Sequence, residues 1–256
     1  MPEGPNRPTV LIERDAEAAT ARAAELVQAV ICEAVADRGT CCMALAGGTT
    51  PHDLYQQLAH TGTDEQVPWS RVQVFFGDER DVPLDHVESN YNMAQRTLLD
   101  HVPVPPSQIH PMRGDAEDID AAAAEYEATL RRMVPSDDGS LPRFDLLLLG
   151  MGGDGHTASL FPRTPALAET ERLVLANPVR VLGRKRITVT FPLINAARNI
   201  LMLVTGEDKA DAIGSLLSPS PRPVEDLPAA GVKPTDGKWI LILDAPAARH
   251  WRQRAE

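Results

Sequence analysis

Aromatic residues are scarce in this chain. Phe, Tyr and Trp make up 4% of its 256 residues, so any core must be built mainly from Leu, Val, Ile and Ala. Cysteine is scarcer still. Cys32, Cys41 and Cys42 form an odd set without metal-ligand spacing, which speaks against a disulfide framework or a zinc site. Cys41 and Cys42 open an apolar run and read as reduced core thiols. Positive charge is in deficit, with 25 Lys and Arg against 36 Asp and Glu and a formal net charge of −11. Nucleic acid demands basic patches and is not expected as a partner. A small phosphorylated ligand stays open, because a few local cations and backbone N–H groups suffice for it. No apolar run approaches the length of a membrane span, and the opening MPEGPNRPTV holds no signal-peptide core. A cytoplasmic protein without a membrane partner is the expectation.

What is present is an ordinary globular composition, 43% hydrophobic and 24% charged. Its pattern alternates strands with helices. Thr9 to Ile12 is a short β-rich run. Asp15 then reads as the N-cap of a helix to about Asp37, with Ala19, Ala23, Leu26, Val30 and Ala34 at helical spacing and Gly39 closing it. Cys41 to Ala46, Val72 to Phe76, Phe144 to Leu149, Arg186 to Phe191, Ile200 to Thr205 and Trp239 to Leu243 read as further strands, with Leu173 to Ala176 a weaker candidate. Helices are expected over about His52 to Leu58 (Pro51 suiting the first turn), Asn90 to Leu99, Asp115 to Met133 and Glu207 to Leu217. This order implies an α/β fold: an open, mostly parallel sheet with helices on both faces. The proline-rich stretch Pro219 to Pro228 reads as a surface loop rather than a linker, so residues 1–256 are expected to form one domain.

Ligands of such sheets sit at the carboxyl ends of the strands. Four loops expected there begin, or nearly begin, with glycine: Gly47-Gly48-Thr49-Thr50, Gly77-Asp78-Glu79-Arg80, Gly150 to His156, and Thr205-Gly206-Glu207-Asp208-Lys209. The first lacks the lysine and spacing of a Walker loop. It suits either an anion cradled by free N–H groups and hydroxyls, or simply a tight turn with threonine caps. In the second, Arg80 offers a fork for a phosphate or a developing oxyanion, and Asp78 a base or an orienting group. The same run also fits a solvated, self-paired charge cluster. Asp81, Asp85 and His86 follow it with no familiar ligand spacing, and no metal is expected. Lys209 falls near a helix start, an odd place for a cation unless it faces an anion. Arg184, Lys185 and Arg186 form a second basic group, of which one member can reach such a site.

The third loop, GMGGDGHTASLFP, spells G-x-G-x-x-G behind an apolar strand, the lettering of a dinucleotide site. Context denies it. Pro162 stops the segment about two turns after Gly155, and the next strand candidate ends in Asn177-Pro178 rather than an acid for the ribose. What remains is His156 among glycines beside Asp154, Thr157 and Ser159, with a reference pKa of about 6.5 that suits a general base. A hydrogen-bonded structural histidine is the plainer alternative. Ser159 lacks the G-x-S-x-G elbow of a nucleophile.

Together these loops resemble the 6-phosphogluconolactonase family. The matching residues are Leu45 to Pro51, Phe76 to Arg80 with Ser89-Asn90-Tyr91-Asn92, Leu149 to Pro162, and Arg186-Ile187-Thr188 with Val204 to Ala210. The resemblance implies a modified Rossmann-type domain, shared with glucosamine-6-phosphate deaminase and ribose-5-phosphate isomerase, and no cofactor. It implies hydrolysis of a sugar-phosphate lactone, with catalytic residues His156, Arg80 and Asp78. Gly47, Gly48, Thr49, Gly152, Gly153, Arg186 and Lys209 would bind substrate and phosphate, in a monomer or small homo-oligomer. A deaminase would continue Gly-His with Asn-Glu-Pro, where this chain has Ala158-Ser159-Leu160-Phe161-Pro162. A sugar-phosphate sensor would carry a DNA-binding segment, for which the eight residues before Thr9 leave no room.

Overall fold

Four consecutive leucines, Leu146 to Leu149, have every side chain buried, as a strand covered on both faces must. They form β5, near the middle of a six-stranded sheet in the computed structural model, which describes residues 7–61, 66–137, 139 and 141–255. The other strands are β1 (Thr9–Glu13), β2 (Cys41–Leu45), β3 (Val72–Phe76), β8 (Asn199–Val204) and β9 (Lys238–Asp244). Their order is β1-β9-β8-β5-β2-β3, and every pairing is parallel. The remaining strands, β4 (Asp78–Arg80), β6 (Val174–Val179) and β7 (Arg184–Val189), make a separate antiparallel sheet in the order β4-β7-β6.

That second sheet corrects two expectations. Asp78 to Arg80 are not a loop but a strand, with Asp78 opposite Thr188 and Arg80 opposite Arg186. The strand expected through Phe191 ends at Val189, because Pro192 starts a helix, α5 (Phe191–Ala196). A tight Arg180–Leu182 turn closed by Gly183 at φ 63° joins β6 to β7, and so short a connection permits only antiparallel pairing. The two sheets meet at Gly77, whose N–H donates to Leu45 and whose carbonyl accepts from Val189.

Helices α1 (Ala16–Arg38), α2 (Thr49–Thr61), α3 (Asn90–Ala94), α4 (Ile119–Met133), α6 (Ala210–Leu216) and α7 (Ala245–Ala255) complete the fold. Asp15 caps α1 by accepting from Ala18 N at 2.8 Å, and Gly39 ends it in the left-handed region. The buried stripe runs Ala19, Ala23, Val27, Ile31, Ala34. Leu26 and Val30, expected at its centre, are half-buried one position to the side. Helix α2 begins three residues before His52, so Thr49 and Thr50 belong to its first turn. Helix α4 starts at Ile119 rather than Asp115, because the Asp118 carboxylate accepts from Ala121 N and sets the cap there. Beyond Ala94 the chain widens into a π turn, Gln95–Leu99. The segment expected as a helix from Glu207 opens with a 3-10 turn, Glu207–Lys209, before α6.

The carboxyl end of the sheet is held by two tyrosines from helices. Tyr55 in α2 donates its hydroxyl to Ala46 O (2.7 Å) and accepts from Ala46 N (2.9 Å). Tyr126 in α4 does the same for Phe76, at 3.2 and 2.8 Å. The outer edge of β3 is covered by Gln108, Ile109 and His110. Cys41 and Cys42 are buried and all three cysteines are free thiols; burial pushes Cys42 up to about 12. Among the described residues no helix is long and apolar enough to cross a membrane.

Candidate active site

Strand β2 has β3 on one side and β5 on the other, and β5 leads outward to β8 and β9. The chain therefore changes direction between β2 and β5, the switch point where an open sheet leaves a crevice at its carboxyl edge. A cleft of about 450 Å³ lies there. Its wall includes Gly47, Gly48, Thr49, Asp78, Arg80, Gly152, His156, Arg186 and Lys209, so all four glycine-led segments converge there, the second of them as strand β4. Gly153 is the predicted site residue that does not line it. A Cβ there would stand 3.0 Å from the Asp208 carbonyl, because Gly153 packs the third loop against the fourth.

His156 enters the cleft from the loop after β5. Its Nδ1 lies 2.6 Å from Asp154 Oδ1, and the same oxygen accepts from His156 N at 3.1 Å. Burial raises the Asp154 carboxyl, but hydrogen bonds and charge from His156 outweigh it and hold Asp154 below its ordinary value. Gly152 makes this pairing possible: a Cβ would fall 2.2 Å from His156 Nδ1 and 2.6 Å from Asp154 Oδ1.

The Asp78–Arg80 run is not a solvated cluster. Glu79 is fully buried and accepts from Arg80 N, Asn90 N, Tyr91 N and Ser89 Oγ, fastening β4 to the first turn of α3. Burial raises its carboxyl, and those four hydrogen bonds oppose the rise. Asp78 is also buried; Oδ2 accepts from Ser159 Oγ at 2.6 Å and Oδ1 from Asn90 Nδ2 at 3.2 Å. Ser159 is thereby locked inside the structure, with no exposed surface.

The cations divide sharply. Arg184 pairs with Glu88 and Asp81, and Lys185 with Asp120. Arg186 instead faces the cleft, and none of the hydrogen bonds or ion pairs among the described residues engages its guanidinium. Burial and the neighbouring Arg80 both pull Arg186 below the usual guanidinium range. Arg80 Nη1 donates to Glu88 O, while its buried Nε has no hydrogen-bond partner among the described residues. Two like charges held together with spare donors form a site for an anion. Lys209, which also lines the cleft, pairs with Asp208 at 2.6 Å. Near Lys209, Thr205 Oγ1 lies 3.0 Å from Thr50 Oγ1, tying the fourth loop to the start of α2.

A family model described as glucosamine-6-phosphate isomerases/6-phosphogluconolactonase matches residues 14–241, a span that contains all four loops. The chain belongs to this family. Its relatives include a 6-phosphogluconolactonase of Synechocystis sp., 42% identical over 243 residues and 95% of each chain. Another, from Streptomyces coelicolor, is 38% identical over 252 residues and 94% of each. The solved 6-phosphogluconolactonase of Trypanosoma brucei superposes with a TM-score of 0.85 at 27% identity, covering 95% of this chain and 98% of that one.

Within this family frame, several residues of the site had no separate signal in the sequence. Asn90 fills the space beside Gly47, where a Cβ would come within 2.0 Å of its Oδ1. Phe161 stacks on the His156 ring. Ala158 lines the cleft at φ 46°, a conformation rare for a residue with a Cβ. Ser89-Asn90 and Leu160-Phe161-Pro162 belong to the matching motifs, but which groups they meet is set by the fold and not by their letters.

Proposed function

We propose that this cleft hydrolyses 6-phospho-D-glucono-1,5-lactone to 6-phospho-D-gluconate, with His156 as the base that activates water. The enzyme class, a carboxylic ester hydrolase of the 6-phosphogluconolactonase type, follows from the family and from full-length relatives at about 40% identity. The observation that carries the mechanism is the Asp154–His156 pair opening into the same cleft as the Arg186 guanidinium, which no ion pair among the described residues engages.

Asp154 takes Nδ1–H and leaves Nε2 as the basic nitrogen. As water attacks the lactone carbonyl, Nε2 receives its proton and Asp154 stabilises the imidazolium. The tetrahedral oxyanion needs donors, which Arg80 or the N–H groups of the Gly152 to Gly155 turn supply. The start of α2 at Thr49, together with Arg186 and Lys209, holds the phosphate through free N–H groups and charge. Remote phosphate binding then orients the carbonyl. Asp78, locked to Ser159 and Asn90, acts by positioning these loops rather than by moving protons. We further propose that both sheets work as one domain, in the cytoplasm, as a monomer or small homo-oligomer.

A coupled assay offering 6-phosphogluconolactone and glucosamine 6-phosphate side by side tests the reading. Turnover of the lactone, corrected for spontaneous opening, is expected. Turnover of the amino sugar alone would overturn it. His156→Ala should abolish hydrolysis while keeping 6-phosphogluconate bound.

A further inference from the structure

The segment after His156 is built around one aromatic ring. Phe161 is 7% exposed, and its ring lies 4.1 Å from the His156 imidazole, centroid to centroid, at an interplanar angle of 20°. The Arg186 guanidinium carbon sits 5.7 Å from the centroid of the same ring. The backbone at this point is firmly held. Phe161 O accepts from Thr164 Oγ1 (2.7 Å), Thr164 Oγ1 accepts in turn from the buried Asn177, and Asn177 also donates to Ser159 O. Two non-glycine residues in the left-handed region, Ala158 at φ 46° and Arg163 at φ 59°, bracket the segment. Strain of this kind persists only where surrounding structure over-determines it. What it over-determines here is the place of Phe161.

We infer that Phe161 is a positioning residue for the proposed reaction: its ring face fixes the plane of the His156 imidazole, stabilises the imidazolium formed there, and spaces that cation from Arg186. The inference rests on His156 as the base. In the plane of the ring Asp154 fixes Nδ1, but a single hydrogen bond leaves the imidazole free to tilt about it. A flat apolar face at stacking distance removes that freedom. The negative face of a phenyl ring also attracts a cation, so Phe161 favours the charged imidazole over the neutral one. The same ring draws the guanidinium of Arg186, which has no hydrogen-bonded or ion-paired anchor among the described residues. One side chain thus contacts both the base and an anion-binding cation of the cleft.

The charged groups around His156 are Asp154 on its own loop, Asp78 and Arg80 on β4, Arg186 on β7, and Asp208 and Lys209 after β8. Changing Phe161 removes none of these charges, and repeating the titration in an Arg186→Ala background separates the effect of the ring from that of a displaced guanidinium.

The test follows the His156 imidazole by NMR in the full chain without ligand, across Phe161→Leu, Phe161→Met and Phe161→Tyr. Loss of the ring should lower the His156 inflection by about half a pH unit, while Phe161→Tyr keeps it. The acid limb of kcat should move by the same amount, with kcat on the lactone reduced about ten-fold in the ringless variants. Should those variants not fold, 4-fluoro- and 3,5-difluorophenylalanine at position 161 keep the shape and weaken the ring face, and the inflection should fall stepwise with fluorination. An unchanged inflection in a folded ringless variant, or across the fluorinated series, overturns the inference. Absence of lactone turnover in the unsubstituted protein would instead overturn the proposed function and leave the NMR result readable.

Discussion

Asp154 Oδ1 holds His156 twice, at the ring Nδ1 (2.6 Å) and at the backbone N (3.1 Å). One carboxylate oxygen therefore sets both the tautomer of the imidazole and the turn that carries it. We predict that Asp154→Asn lowers kcat about 10²-fold or more, within the range of general base catalysis, because the amide no longer enforces a proton on Nδ1. Product affinity should stay within a few-fold. Steady-state kinetics with a 6-phosphogluconate titration checks this, and an unchanged kcat would exclude the pair as the proton acceptor.

Gly152 makes the companion prediction. The Cβ of Gly152→Ala would meet His156 Nδ1 at 2.2 Å and Asp154 Oδ1 at 2.6 Å, so the imidazole must leave its partner. The expected loss in kcat approaches that of Asp154→Asn. Because the glycine lies on the cleft wall, thermal stability should fall by no more than about 1–2 kcal/mol. A variant with full activity would show that the contact between Asp154 and His156 is dispensable.

Arg184, Lys185 and Arg186 are consecutive but should behave differently. Arg186→Ala removes a cation that faces the cleft without an ion pair among the described residues, and KM should rise about ten-fold or more, the worth of a charged hydrogen bond. Arg184→Ala and Lys185→Ala break exposed pairs with Glu88 and Asp120 and should leave KM within about two-fold. Equal effects at all three positions would contradict the assignment.

Tyr55→Phe deletes the hydroxyl that satisfies both backbone groups of Ala46. A buried donor and acceptor are left without partners, at a cost of about 1–3 kcal/mol each at most. Chemical denaturation should register the loss. KM should rise as well, since Ala46 leads directly into Gly47. Stability unchanged within about 0.5 kcal/mol would indicate that water replaces the hydroxyl.

At acid pH two paired carboxylates, Asp137 and Glu169, should lose their contribution to stability. Hydrogen bonding to Arg198 lowers Asp137 to about 2, and a backbone hydrogen bond from Glu171 lowers Glu169 to about 2. Both values lie below those of the unfolded chain, about 4. Each group therefore contributes stability above pH 4 that is lost as pH falls toward 2. Asp137→Asn should narrow its stability gap to the unsubstituted protein across that window. Solvent screening keeps the gap below about 1 kcal/mol at neutrality. A gap independent of pH would refute the linkage.

The strands and the converging loops were legible in the chain because each depends on neighbours in sequence. Leu146 to Leu149 can only be a strand buried on both faces, and parallel strands carry their glycine loops to one edge. His156 was legible because it stands in a glycine-rich loop after a buried strand, and Gly152 does leave its ring room. Tertiary structure alone decided how charges and rings are paired. That Glu79 is a buried cap, that Asp78 locks Ser159, that Phe161 covers His156 and that Arg186 rather than Arg184 or Lys185 faces the cleft are matters of the fold, and the last depends on β4 pairing with β7. That pairing joins segments some hundred residues apart, and local propensity carries no record of it. A charged side chain reads the same in sequence whether it meets water, a helix terminus or a ligand. Its neighbours in the fold decide which.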